Sequence, residues 1–215
     1  GGRRSGVQGR GTALARRRVR AVGVRANNPM HQAGAVTSDG ADKASRFLQL
    51  CDAFDLPVVT LVDTPGMLVG PDADSTGLVR HSSRVFVVGA TMTVPVVSVV
   101  LRKAYGLGAQ AMLAGGTHEP LLTVAWPTGE LAPMGLEGAV KLGFRRELAA
   151  ADDPEAELER LVAFAMAHTA AVNAATVFEV DDVIDPADTR RLLTSVLAAS
   201  PPPLPRAGRK RVVDT

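Results

Sequence analysis

The run Val96-Val97-Ser98-Val99-Val100-Leu101, followed at once by Arg102-Lys103-Ala104-Tyr105-Gly106-Leu107-Gly108-Ala109, constrains the fold more than any other segment of this chain. Six residues dominated by β-branched apolar side chains read as a strand buried on both faces, the pattern of a parallel sheet. The glycines and small residues that follow turn such a strand directly into a helix. A strand that feeds a helix can aim unpaired backbone N–H groups at one point, and that point stabilises an anionic oxygen. The segment is thus also a candidate oxyanion hole made of main chain, which directs attention to enolate or acyl chemistry.

The strand-then-helix order repeats. Strands are expected at 19–24, 57–62, 95–101 and 121–125, and helices at 42–54, 77–91, 108–114, 136–148, 154–171 and 186–199. The helix from Pro154 has the clearest apolar face, with Leu158, Leu161, Val162, Ala165 and Thr169 at spacings of three and four. Such an alternation implies right-handed crossovers, a mostly parallel sheet and an α/β fold. Ligands of such sheets lie beyond the carboxyl ends of the strands, where both Asp63-Thr64-Pro65-Gly66 and Lys103 to Ala109 fall.

With 215 residues the chain suffices for one domain and a core that removes about 70 % of the unfolded surface from water. Its single cysteine, Cys51, can form no internal disulfide and reads as a core thiol on the apolar side of a helix. No apolar run approaches the ~20 residues that span a bilayer, and no cleavable apolar segment opens the chain, so a cytoplasmic location without membrane contact is expected. The net charge is only +2, yet eight arginines precede the first acid, Asp39. The body is therefore acidic on balance. The arginine-rich start carries no aromatic side chains to stack on bases, which argues against nucleic acid as a partner. Residues 1–18 read as a disordered basic leader, 19–199 as the folded domain and 200–215, rich in proline and arginine, as a disordered tail.

Several familiar chemistries lack their residues. Asp63-Thr64-Pro65-Gly66 matches the Asp-x-x-Gly of GTP-binding proteins, but the dipeptide Gly-Lys of a phosphate cradle occurs nowhere. That segment is better read as a turn whose proline and glycine shape a pocket wall. There is no Gly-x-Ser-x-Gly elbow, no His-Glu-x-x-His and no Cys/His metal spacing. Gly106-Leu107-Gly108 lacks the third glycine of a dinucleotide fingerprint. His81 stands out among the four histidines because it sits in a helix beside the proposed ligand loops, as a structural histidine or a ligand contact.

Taken in order, Ala26-Asn27-Asn28-Pro29, Asp42-Lys43-Ala44-Ser45-Arg46-Phe47, Asp63-Thr64-Pro65-Gly66, Arg80-His81, Arg102-Lys103-Ala104-Tyr105-Gly106, Ala125-Trp126-Pro127-Thr128, Met134-Gly135 and Asp185-Pro186 make the chain resemble the biotin-dependent acyl-CoA carboxyltransferases, specifically their carboxybiotin-side half. The resemblance covers residues 19–195. It implies a crotonase-like fold and transfer of a carboxyl group from carboxybiotin, presented by a carrier protein, to acetyl- or propionyl-CoA. No protein side chain is needed as the base and no metal is involved. It further implies that backbone N–H groups hold the biotin ureido oxygen, those of Leu107 and Gly108 or, one residue on, of Gly108 and Ala109. Lys103, Tyr105 and Gly106, with Asp63, Thr64, Pro65 and Gly66, are then the residues around the cofactor, and Gln110 occupies a position that selects the acyl chain. The implied partners are an acyl-CoA-binding carboxyltransferase half and a biotin carboxylase or biotin carrier subunit, in a homo- or hetero-oligomer. No sequence for the acyl-CoA half precedes residue 19, so the chain reads as a separate subunit, inactive alone; a truncated, non-catalytic assembly or remnant protein is the alternative.

Overall fold

The computed structural model describes residues 4–7, 10–17 and 20–201, with side chains from residue 21 onward. In chain order the strands are β1 (Arg4–Val7), β2 (Arg10–Arg17), β3 (Arg20–Asn27), β4 (Val58–Thr64), β5 (Val96–Tyr105), β6 (Leu122–Ala125), β7 (Glu130–Ala132) and β8 (Asp182–Val183). The helices are α1 (Ser38–Ala53), α2 (Pro71–Ser75), α3 (Leu78–Thr91), α4 (Gly106–Met112), α5 (Leu136–Gly143), α6 (Arg145–Ala150), α7 (Pro154–Thr169), α8 (Ala171–Thr176) and α9 (Thr189–Ala199). One mixed sheet runs β1-β2-β3-β4-β5-β6-β8, with β7 paired to β5 beyond the carboxyl end of β6. β3, β4, β5, β6 and β8 are mutually parallel, whereas β1, β2 and β3 are antiparallel.

The alternation of side chains along β5 divides the core. Val96 packs among Ala44, Leu48, Val85 and Val88 of α1 and α3, while Val97 and Val99 face the opposite side with Val22, Val59 and Val124 under Leu193 and Leu197 of α9. Farther along, Val100 and Ala104 join Val62, Ala109, Met112 and Leu113 in a third cluster around α4. This third cluster lies under the strand ends and gives the segments described next a rigid base. α1 begins at Thr37, whose hydroxyl accepts the Gly40 N–H at 3.1 Å, and presents Ala41, Ala44, Leu48 and Cys51 on one buried stripe. Among the described residues no helix is long and apolar enough to cross a membrane.

Two expectations, the disordered leader and the two single helices, need correction. The ladder starts ahead of residue 19, because Arg10–Arg17 pairs along its whole length with β3 and Arg4–Val7 pairs with β2. Arg25, one of the eight early arginines, is fully buried; its Nε donates to Thr60 Oγ1 at 3.0 Å, and a second guanidinium nitrogen donates to the Met112 carbonyl. The expected helices at 136–148 and 154–171 are each two helices, broken at Phe144 and at Ala170, where the backbone leaves helical geometry. The tail expected to be disordered lies outside the described residues from position 202.

Candidate active site

The carboxyl ends of β4 and β5 lie side by side, with Thr64 opposite Ala104. β4 ends in Asp63-Thr64-Pro65-Gly66, and this turn is held from three directions. The Asp63 carboxylate accepts the Arg102 Nε–H at 3.1 Å and the Lys103 backbone N–H at 3.3 Å. The Asp63 N–H donates to Asn27 Oδ1 at 3.2 Å, and Asn27 Nδ2 donates to the Gly34 carbonyl at 3.0 Å. Thr64, fully buried, accepts the Gly66 N–H at 3.2 Å and donates to the Gly66 carbonyl at 3.1 Å. The ends of β3, β4 and β5 are thereby tied together by the side chains of Asn27, Asp63 and Arg102. Asp63 and Thr64 shape the wall of the site from behind.

α4 follows β5 without an intervening loop, two residues earlier than the sequence suggested, so the glycines form its first turn. Gly106 takes φ 53°, and a Cβ there would lie 2.7 Å from the Pro133 carbonyl oxygen. Gly108 has a different constraint: a Cβ on it would stand 2.4 to 2.7 Å from the Cα, carbonyl carbon and oxygen of Gly66. The two turns that the sequence placed at strand ends therefore touch, backbone against backbone, through this position. Leu107 projects outward, 60 % exposed, while Ala109 is buried in the cluster beneath.

The first turn of α4 leaves donors over. No side chain caps it. With Tyr105 as N-cap, i→i−4 geometry first employs the Ala109 N–H, on the Tyr105 carbonyl, and the donors ahead of it have no intrahelical partner. Among the described residues no hydrogen bond outside the helix uses the N–H of Leu107 or Gly108. Of the two possible donor pairs, Leu107 with Gly108 is thus the one free to hold an external oxygen.

Tyr105 is buried, and its hydroxyl donates to the Glu130 carboxylate of β7. Burial, the hydrogen bond and the charge of Glu130 all raise the phenol above its ordinary pKa, so it stays protonated. Lys103 Nζ lies 5.9 Å from the centre of the Tyr105 ring. Gln110, one turn into α4, is exposed and lines a cleft of about 700 Å³ together with Leu107, Leu113, Leu131, Ala174 and Val177. His81 is elsewhere. Its Nδ1 lies 2.8 Å from Asp42 Oδ2, and Arg84 reaches the other oxygen of Asp42 at 3.2 Å, so it joins α3 to α1 as a structural histidine.

Sequence reasoning missed the contributions of Glu130, Pro133 and α8. Nothing in a three-residue strand or in Ala171–Thr176 marks them. Asn27 was legible only as part of Ala26-Asn27-Asn28-Pro29, without its role in holding Asp63.

A family model described as the carboxyl transferase domain matches residues 11–201. The chain belongs to this family. Over 187 residues it is 42 % identical to the methylmalonyl-CoA carboxyltransferase 12S subunit of Propionibacterium freudenreichii subsp. shermanii, covering 86 % of this chain and 36 % of that protein. It is 40 % identical over 191 residues to the biotin-dependent acetyl-/propionyl-coenzyme A carboxylase beta6 subunit of Mycobacterium tuberculosis (strain ATCC 25618 / H37Rv), covering 87 % of the chain and 40 % of the relative. Among solved structures, a transcarboxylase 12S hexamer with methylmalonyl-coenzyme A bound superposes with a TM-score of 0.82 at 38 % identity, over 95 % of this chain and 40 % of the other. A single-chain, multi-domain long-chain acyl-CoA carboxylase superposes with a TM-score of 0.80 at 49 % identity, over 87 % of this chain and 18 % of the other. The carboxyl transferase domain described here thus has the α/β, crotonase-like fold of the 12S proteins. It spans about a third of the length of the curated relatives.

Proposed function

We propose that this carboxyl transferase domain is the carboxybiotin-side half-site of an acyl-CoA carboxyltransferase. The observation that carries the reading is the first turn of α4, packed at Gly108 against Gly66, where the N–H groups of Leu107 and Gly108 have no partner outside the helix among the described residues. Two backbone donors set in a rigid turn fit a ureido carbonyl oxygen, and they require no side-chain movement to hold it. Bound carboxybiotin would supply the carboxyl group and its own nitrogen as the base. The chain itself orients and polarises. Leu107 and Gly108 hold the oxygen, Gly106 allows close approach, and Asp63, through Arg102 and the Lys103 N–H, fixes the end of β5 on which the donors depend. Tyr105 stays neutral beside Glu130 and keeps β7 against β5.

The acyl-CoA side of the reaction is supplied from outside residues 1–215, and the biotin from a carrier protein. The names of the relatives, a methylmalonyl-CoA carboxyltransferase subunit and a biotin-dependent carboxylase subunit, support biotin and an acyl-CoA as the reacting groups. Exposed Leu107 and Val177 leave an apolar rim at the site of the kind that an oligomeric partner covers.

Chemical-shift titration of the purified chain with biotin and with GTP tests the reading. Biotin should move the amide resonances of Leu107 and Gly108. Tighter, Mg²⁺-dependent binding of GTP would overturn it. In a complex reconstituted with the acyl-CoA half, Gly108→Pro, which deletes one donor, should abolish transfer, whereas folded His81→Gln should retain most of it.

A further inference from the structure

We propose that Arg25 is a positioning residue for carboxyl transfer, which fixes α4 from its buried end, keeps the Leu107 and Gly108 N–H groups aimed and places a positive charge behind them; this rests on the carboxyltransferase reading above. Arg25 opens a polar row that crosses the parallel part of the sheet. It pairs in register with Thr60 of β4, Thr60 with Ser98 of β5, and Ser98 with Thr123 of β6. All four residues are completely buried. Val96 and Val100, two residues to either side of Ser98, face the α1/α3 and α4 clusters, so the row points the same way, into the layer beneath these helices.

The two ends of the row hold α4 and the segment that follows it. Arg25 donates to Thr60 Oγ1 and to the carbonyl of Met112, the last residue of α4, while Thr123 Oγ1 donates to the Thr117 carbonyl at 2.7 Å. A helix leaves its last carbonyls without donors of its own. Here the carbonyls of Ala109 and Gln110 accept the N–H groups of Leu113 and Gly115, and that of Met112 accepts the guanidinium. At its start α4 meets Gly66 through Gly108, so its seven residues are fixed at both ends. Leu107 precedes Met112 by five residues, about 7.5 Å of helix, which sets the guanidinium about 12 Å from an oxygen held at the donors. With an effective dielectric constant of about 20, a unit charge at that distance changes the stability of a developing anion about tenfold. A guanidinium in an apolar layer costs desolvation that a methionine would not, so folding alone does not call for it.

The test compares Arg25→Met, which keeps the bulk and removes the charge and its donors, with Arg25→Lys, which keeps the charge. In the complex reconstituted with the acyl-CoA half, Arg25→Met should lower kcat about tenfold or more while KM for the acyl-CoA stays within about twofold, and Arg25→Lys should recover at least about a third of the parent kcat. In the purified chain the amide resonances of Leu107 and Gly108 should move in Arg25→Met and return toward their parent positions in Arg25→Lys. Leu193→Ala, in the cluster on the opposite face of the sheet, lowers stability away from α4 and should leave kcat and both amides as they are. Should Arg25→Met fail to fold, Thr60→Val takes its place; it removes the acceptor that orients the guanidinium and should lower kcat at least about threefold. Parent-like kcat in the folded variants, no recovery with lysine, unmoved amides, or a loss that Leu193→Ala reproduces at the same urea midpoint overturns the proposal and leaves the carboxyltransferase reading standing. No transfer by the parent complex overturns that reading and this proposal with it.

Discussion

At Gly108 one methyl group decides whether two turns can share the same space. Gly108→Ala would place a Cβ 2.4 Å from the Gly66 carbonyl carbon, and neither backbone can yield without moving a strand end. We expect a loss of about 1–3 kcal/mol, read from the urea midpoint, and at least about a hundredfold loss of transfer in the reconstituted complex. Gly135→Ala is the control. Its added Cβ meets nothing within 4 Å and its φ of −56° suits alanine, so both readouts should stay near the parent values. Cys51 makes a second prediction at this scale. Burial pushes its thiol up to about 12, against an opposing pull from Arg25 and an ordinary value near 9. The unfolded chain releases this proton near pH 9 while the folded chain holds it, so stability from Cys51 is complete below pH 9 and is lost progressively toward pH 12. Urea midpoints of the parent should therefore fall between pH 9 and 11 more steeply than those of Cys51→Ala. Equal slopes would show that the thiol does not titrate differently in the two states.

At the level of elements, the connection from α1 to β5 depends on one carboxylate. Asp52, near the end of α1 and almost fully buried, accepts the Thr93 N–H and hydroxyl at 2.8 Å each and the Val94 N–H at 3.2 Å. Asp52→Ala strands these donors just before the strand that bears the site, and should cost about 3 kcal/mol in chemical denaturation. Asp52→Asn, which keeps an acceptor oxygen, should recover part of it. The elements that were legible in the sequence are those whose cause is local. β4 and β5 announce themselves through consecutive valines, and α1 and α3 through an apolar stripe closed by a turn. β1 and β2 were not legible, since β2 pairs onto β3 and β1 onto β2, contacts no local pattern encodes. β7 is likewise three residues long and exists because Lys103 to Tyr105 offers it a free edge. The site divides in the same way. Its glycines were visible, but the contact of Gly66 with Gly108 and the diversion of Asp63 to Arg102 and Lys103 arise from bringing β4 beside β5. The start of α4 at Gly106, which favours Leu107 with Gly108 as the candidate donors, was likewise not legible.

For the molecule as a whole, the decisive feature is the position of β5. It pairs with β4 along one side and with β6 and then β7 along the other, and it separates the α1/α3 cluster from the α9 cluster. Among the described residues no other strand has three partners. Amides exchange with solvent at a rate set by the cheapest opening that frees them, and β5 can be freed only by parting the sheet on both sides. In deuterated buffer its amides should therefore be among the last to exchange, on the timescale of global unfolding, while those of β8 and α6 exchange early. The first candidate donor, Leu107, lies two residues beyond the end of β5. A turn anchored to the slowest-opening strand keeps its dipoles aimed while the periphery breathes, so partners could come and go around this domain without the oxygen-holding geometry having to be rebuilt at each encounter.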